Sequence, residues 1–362
     1  MFLERTIVAV SGDGRRAPKG LAMPKNLVIC MDGTGAQPKA AGNTNLVRLY
    51  SMLDLSDPAK QVAYYDPGVG TFAAAGAWTP LARWWSKTMG LAFGFGLREN
   101  LGEAYSWLMR NWERGDQVYV FGFSRGAYNA RALLGLLRTL GLMRPGSENF
   151  VSYATAAYSG GFPNMHEIAE IFAQVVDDEG RTTVPIRYLG VWDTVKAAGL
   201  FRRDFNWPYT HQLPNAQRIR HAVSIDERRR PFREYLIENA DDVTREEVWF
   251  AGVHCDVGGT FLDDQKLSTI ALRWLVEEAV AQGMLVKPRK YAFECAVTPD
   301  FAEGRLHKNA WPWVLLGRRR RPIPPGALVH ASVQDRISSV SDYNPIGSSR
   351  VTWVDPDWAS RP

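Results

Sequence analysis

The segment Val118-Tyr119-Val120-Phe121-Gly122-Phe123-Ser124-Arg125-Gly126-Ala127-Tyr128 constrains the fold of this chain more than any other. It reads as a β-prone apolar strand, a serine between two glycines, and then a helix rich in alanine and leucine. This pattern predicts a tight strand-to-helix turn in which Gly122 and Gly126 remove side chains that would collide with neighbouring backbone. The turn pushes the Ser124 hydroxyl outward, where a general base can reach it. It also aims the next N–H, that of Arg125, at negative charge developing nearby. A bare G-x-S-x-G is common in a chain with 32 glycines, so the flanking strand and helix give the motif its weight.

Similar strand–loop–helix units recur along the chain. A continuous apolar run predicts a buried parallel strand at Leu27 to Cys30, further strands are expected at Val62 to Tyr65, Ile186 to Trp192 and Val248 to Val253, and the weakly alternating Ile219 to Ile225 is a candidate strand. Helical spacing follows Thr44-Asn45 through Leu46, Leu49 and Met52, and recurs at Asn100 to Trp112 and Ser268 to Gln282. The alternation implies a mostly parallel central sheet flanked by helices. Residues 143–184 and 284–328 are less regular and are expected to be cap or lid insertions. One catalytic domain is expected over residues 23–345, after a disordered N-terminal extension at 1–22 and before a C-terminal tail at 346–362. Met23, just ahead of the first strand, is an alternative start.

Composition supports a large core: 46% of the 362 residues are apolar and 22% charged. The three cysteines, Cys30, Cys255 and Cys295, have no C-x-x-C spacing, so neither a disulfide framework nor a structural zinc site is expected. No run approaches the roughly 20 apolar residues of a membrane span. Asp13, Arg15 and Arg16 interrupt the N-terminal apolar stretch too early for a signal-peptide core. A cytoplasmic, reducing location is the expectation, and no cofactor is implied.

In open parallel sheets, reactive groups collect at the carboxyl ends of strands. Four polar clusters fall there: Asp32-Gly33-Thr34, Ser124, Asp193-Thr194 and His254-Cys255-Asp256. Serine, aspartate and histidine follow one another in the chain order of α/β-hydrolases. On that reading His254 takes the Ser124 proton and Asp193 orients the imidazole, while N–H groups at Arg125, Gly33 and Thr34 form an oxyanion hole. The fold class is therefore α/β, α/β-hydrolase-like, with a helical cap or insertions. Rival assignments stay open at this stage, among them a catalytically silent hydrolase-like scaffold that binds a ligand or partner. His330 is a second candidate base and His221 a third, whereas His166, His211 and His307 read as surface residues. Asp256 is a competing acid, and Asp32, His254 and Asp256 together are a candidate metal-assisted site. Asp32 is also a plain turn-forming residue. A phosphatase-type aspartyl nucleophile is ruled out because Cys30 occupies the position it would need.

The ordered set Cys30-Met31-Asp32-Gly33-Thr34, Thr44-Asn45, Asp66-Pro67-Gly68-Val69-Gly70-Thr71, Gly122-Phe123-Ser124-Arg125-Gly126-Ala127, Gly190-Val191-Trp192-Asp193-Thr194-Val195 and His254-Cys255-Asp256-Val257-Gly258-Gly259 resembles the catalytic domain of the type VI secretion phospholipase effectors and the related α/β-hydrolase family around them. The resemblance runs from about Lys25 to Ser338. It implies Ser124 as nucleophile, Asp193 as acid and His254, over His330, as base. It also implies hydrolysis of esters, with phospholipids as the substrates of the secreted members. The chain ends soon after His330-Ala331-Ser332-Val333, without the membrane-anchoring region of those effectors, so delivery into another cell is not expected of it.

Two segments carry aromatic residues suited to a lipid surface. One is Trp78 to Leu97. The other is Trp311-Pro312-Trp313, which runs into Arg318-Arg319-Arg320-Arg321. Aromatics beside a cationic run fit the headgroup layer of an anionic bilayer. The bland reading is a packed aromatic segment followed by a solvated loop. Nucleic acid is not an expected partner, since no nucleic-acid module accompanies the short basic run.

Overall fold

Alternate residues of the first strand enter two different cores. Leu27, Ile29 and Met31 pack with the helices Leu91–Asn111 and Arg125–Leu140, while Val28 and Cys30 pack with Asn45–Met52 and Lys266–Ala281. A strand covered on both faces must be apolar at every position, which explains the unbroken hydrophobic runs in the sequence. The structure is a computed structural model that describes residues 24–33, 41–68, 91–160, 165–174, 180–196, 207–238, 244–308 and 317–361. Side chains of residues 91–95 and of residue 166 are outside that description.

Eight strands are described: β1 (Asn26–Met31), β2 (Gln61–Asp66), β3 (Gln117–Phe123), β4 (Ile186–Trp192), β5 (Arg218–Ser224), β6 (Thr244–Phe250), β7 (Leu328–His330) and β8 (Thr352–Val354). They form one sheet in the order β2-β1-β3-β4-β5-β6-β7-β8, and every adjacent pair is parallel. All carboxyl ends therefore lie along one edge. The order reverses at β1, which has β2 on one side and β3 on the other. The loops after β1 and β3 flank this switch point, where open α/β sheets place their ligands. This is the α/β-hydrolase-like architecture expected, with its sheet parallel throughout.

The boundaries differ from expectation in instructive places. The expected strand Val248 to Val253 lies earlier, at Thr244–Phe250, because Gly252 adopts φ +118° and turns the chain. The charged stretch Thr244–Glu247 hid its first half by lacking apolar residues. Residues 346–361 do not trail away from the domain: β8 extends the sheet, and Trp358 is buried with its indole donating to Asp335 at 2.8 Å. The described parts of the two irregular segments also join the body of the fold. Val151, Ala154, Tyr158 and Met165 belong to the same core as Arg125–Leu140, and Arg48 grips Glu294 across the other face at 2.7 Å. Among the described residues no helix is long and apolar enough to cross a membrane. The expected extension 1–22 and most of Trp78 to Leu97 lie outside the described residues, as do Thr34, Trp311 and Trp313.

Candidate active site

Ser124 sits between β3 and the helix Arg125–Leu140 with φ +59°, a conformation that costs a non-glycine residue of order 1 kcal/mol or more. The two glycines make the turn feasible. A Cβ on Gly122 would lie 2.5 Å from the Ala127 backbone, and one on Gly126 would lie 2.0 Å from the Met31 carbonyl oxygen. The turn is also tied to β4: Ser124 N–H donates to the Trp192 carbonyl at 3.1 Å, and the Ser124 carbonyl accepts from Val195 at 3.4 Å.

Asp193 follows β4 directly and has φ +39°. His254 follows β6 and begins the short helix His254–Gly258. The structure brings the three side chains together. His254 Nε2 is 2.8 Å from Ser124 Oγ, and His254 Nδ1 is 2.6 Å from Asp193 Oδ2. With Nδ1–H donating to the carboxylate, the Nε2 lone pair faces the serine hydroxyl. Two rings fix the imidazole plane: Phe123 stacks at 4.7 Å, and Phe232 meets it edge-on at 5.0 Å. The His254 backbone N–H donates to Glu227 at 3.2 Å.

All three residues are at least 95% buried, so solvation and charge set their proton affinities. Burial lowers His254 from its ordinary value, the bond and charge of Asp193 oppose that change, and Arg229 reinforces it. Burial alone would raise Asp193. The Arg321 guanidinium and the His254 contact outweigh it and hold the carboxyl well below the usual range. The set is thus a neutral imidazole between a hydroxyl and a fixed carboxylate, able to accept a proton from Ser124 and share the resulting charge with Asp193.

Other sequence candidates occupy different places. Asp32 accepts from Thr44 Oγ1 at 2.5 Å, Tyr65 Oη at 2.8 Å and Gly33 N–H at 2.6 Å. Burial pushes it up to about 6 against those bonds. Gly33 packs against Ser124, but its N–H is held by Asp32, which corrects its assignment as an open oxyanion donor. Asp256 accepts from Val253 N–H at 3.0 Å and pairs with His307 Nδ1 at 2.6 Å, so it is no acid for His254. Asp32, His254 and Asp256 each serve separate partners. Among the described residues no three His, Cys, Asp or Glu side chains converge as a metal site requires, so the metal-assisted assembly is set aside on geometry. The cysteines are free thiols.

Four further histidines have defined partners, while the side chain of His166 lies outside the described residues. His307, expected at the surface, is buried between Asp256 and Asp263, with its ring 3.6 Å from that of Phe261. His221 is buried; it accepts from Thr194 N–H at 3.2 Å and pairs with Glu247 at 2.8 Å. His211 is half-buried, and Nδ1 contacts the Leu236 carbonyl at 3.1 Å. His330 pairs with Asp355 and Ser332 across β4, β5 and β6 from Ser124's strand.

Arg321 is the largest surprise. The sequence places it in one basic run with Arg318, Arg319 and Arg320, and those three are exposed. Arg321 instead turns inward and is only 7% exposed. Its Nη1 lies 2.5 Å from Asp193 Oδ1 and its Nη2 3.1 Å from Asp193 Oδ2. A run of four identical residues carries no mark that the last is buried. Glu227, Phe123 and Phe232 were missed likewise, because nothing local announces a contact to a distant imidazole.

Residues 25–278 match the family model described as T6SS phospholipase effector Tle1-like, catalytic domain. The chain belongs to that family. A relative in Saccharomyces cerevisiae, the uncharacterised protein YEL023C, is 32% identical over 224 residues, 58% of this chain and 32% of that protein. The chain thus spans about a third of that relative's length. Among solved structures it is similar to an uncharacterised Pseudomonas aeruginosa protein at 18% identity and TM-score 0.46, covering 78% of this chain and 50% of that one. It is also similar to the Tle1 effector bound to the VgrG spike at 19% identity and TM-score 0.34, covering 66% and 52%. Esterase 2 of Thermogutta terrifontis has 11% identity and TM-score 0.34, covering 74% and 87%.

Proposed function

We propose that this Tle1-like domain is a serine hydrolase of acyl esters, with lipids and phospholipids as its substrate class. The observation that carries the reading is the hydrogen-bonded line from Ser124 Oγ through His254 to Asp193, with contacts of 2.8 and 2.6 Å. Ser124 Oγ attacks the ester carbonyl as His254 Nε2 removes its proton. The tetrahedral oxyanion is received by the Arg125 N–H at the start of the helix, and Thr34 is proposed as the second donor. Collapse expels the alcohol, which takes the proton back from His254. Water then adds to the acyl carbonyl with His254 again as base, the acyl–Ser124 bond breaks as Ser124 Oγ takes the proton back from His254, and a carboxylic acid leaves. Asp193 remains ionised throughout and stabilises the imidazolium. The exposed Arg318, Arg319 and Arg320 beside this site, with Trp311 and Trp313 before them in sequence, are proposed as its contact with an anionic bilayer.

Incubating phospholipid vesicles with the protein and analysing the lipids by mass spectrometry tests the reading. Wild type should release fatty acid and lysophospholipid, and Ser124→Ala should release neither. Equal release by both proteins would remove Ser124 from the chemistry.

A further inference from the structure

We infer that Arg321 is a positioning residue for the proposed reaction, holding the acid and the aromatic wall of the base in one grip. The inference rests on the serine-hydrolase reading and assigns a role to a residue beyond the span that matches the family model.

The guanidinium makes a two-pronged contact with Asp193, Nη1 to Oδ1 at 2.5 Å and Nη2 to Oδ2 at 3.1 Å. A planar fork of this kind fixes both the position and the rotation of a carboxylate. Nη1 also donates to Ser224 Oγ at 2.8 Å and to the Ser224 carbonyl at 3.0 Å. Nη2 donates to the Phe232 carbonyl at 2.5 Å. Ser224 supplies its own backbone N–H to Asp193 Oδ1 at 2.8 Å, and the Phe232 ring packs edge-on against His254. One side chain therefore ties together the end of β5, the acid after β4 and the loop that walls the imidazole. Asp193 Oδ2 keeps the contact to His254 Nδ1, so the grip settles which oxygen faces the base.

The charge matters as well as the shape. Asp193 and Glu227 face His254 as anions, Arg229 and Arg321 stand near as cations, and Ser124 is the neutral partner. His221 lies behind Asp193, and Glu234 lies 3.7 Å from Arg321 Nε. A buried cation that engages the carboxylate lessens its pull on the proton of the imidazolium. Arg321 thereby keeps His254 neutral to lower pH than an unopposed Asp193 would allow. Removing it leaves more negative charge on the imidazole side and favours the protonated ring.

The test compares Arg321→Met and Arg321→Lys with wild type on a short p-nitrophenyl ester across pH. For Arg321→Met, kcat should fall by roughly one to two orders of magnitude with KM little changed, as for a misplaced base. The acidic limb of kcat/KM should move up by about one pH unit. Arg321→Lys should restore most of the limb position, because it restores the charge, yet only part of kcat, because it lacks the fork. The lysine variant also keeps the test open if the methionine variant does not fold. A wild-type limb and wild-type kcat in either folded variant would overturn the inference, as would a loss of thermal stability alone. If Ser124→Ala keeps full turnover, the hydrolase reading fails first. If Ser124→Ala is inactive while the Arg321 variants behave as wild type, only the role of Arg321 fails.

Discussion

Among the described residues two serine–histidine–aspartate sets occur, one fully buried and one whose aspartate is half-buried, and each carries an arginine on its aspartate. Ser124, His254 and Asp193 have Arg321; Ser332, His330 and Asp355 have Arg361, at 2.7 and 2.9 Å from the carboxylate. The inventories match, yet the geometries do not. In the second set His330 Nε2 faces Asp355 at 3.1 Å, and Nδ1 accepts from the Ser332 backbone N–H at 3.2 Å. That lone pair caps the helix Ala331–Ser339, so it is committed to holding backbone together. Ser332 is two residues from His330 and sits in ordinary helix. Ser124 comes from a segment 130 residues away and stands at positive φ on a turn between strand and helix. A reactive set therefore needs a lone pair with no structural duty and a hydroxyl turned out of its backbone. Residue types alone supply neither.

Breaking the two histidines in parallel gives the widest separation. His254→Ala should lower kcat on a p-nitrophenyl ester by several orders of magnitude, whereas His330→Ala should leave kcat within about twofold. A large loss in the second variant with an unaltered fold would mean that the roles are reversed. The next contrast is in pH. In the proposed mechanism His254 must be neutral to act, so kcat/KM should rise with pH through its folded value. Burial places that value below the ordinary 6.5, and a rate profile with its acidic midpoint above 6.5 would contradict this environment. The smallest effect concerns stability. Replacing His330 by alanine removes its stacking on Phe250 at 4.6 Å and its bond to Asp355, which should lower the unfolding free energy by about 1–3 kcal/mol in a denaturant titration. No change would show that the second set is not a structural pin.

The sequence disclosed the parts whose signals are local. Apolar runs marked β1, β3 and β4, because a strand buried on both faces has few polar positions to blur it. Gly122 and Gly126 marked the turn at Ser124, because no other residue leaves room there. The short strands β7 and β8 were hidden, since three residues cannot make a run and Thr352 and Trp353 are exposed. Long-range charge contacts were hidden more deeply. Arg321 and Arg320 are identical in sequence, and only the folded chain shows that one grips Asp193 while the other meets solvent. His307 misled for the same reason: its partners, Asp256 and Asp263, become neighbours only when the loops close on one another.

One measurement bears most directly on the difference between the two sets: treating the native protein with a fluorophosphonate and mapping the modified residue by peptide mass spectrometry. The account predicts a single stoichiometric adduct on Ser124, abolished in His254→Ala and retained in His330→Ala. An adduct on Ser332, or ester turnover that persists with Ser124 fully blocked, would contradict it.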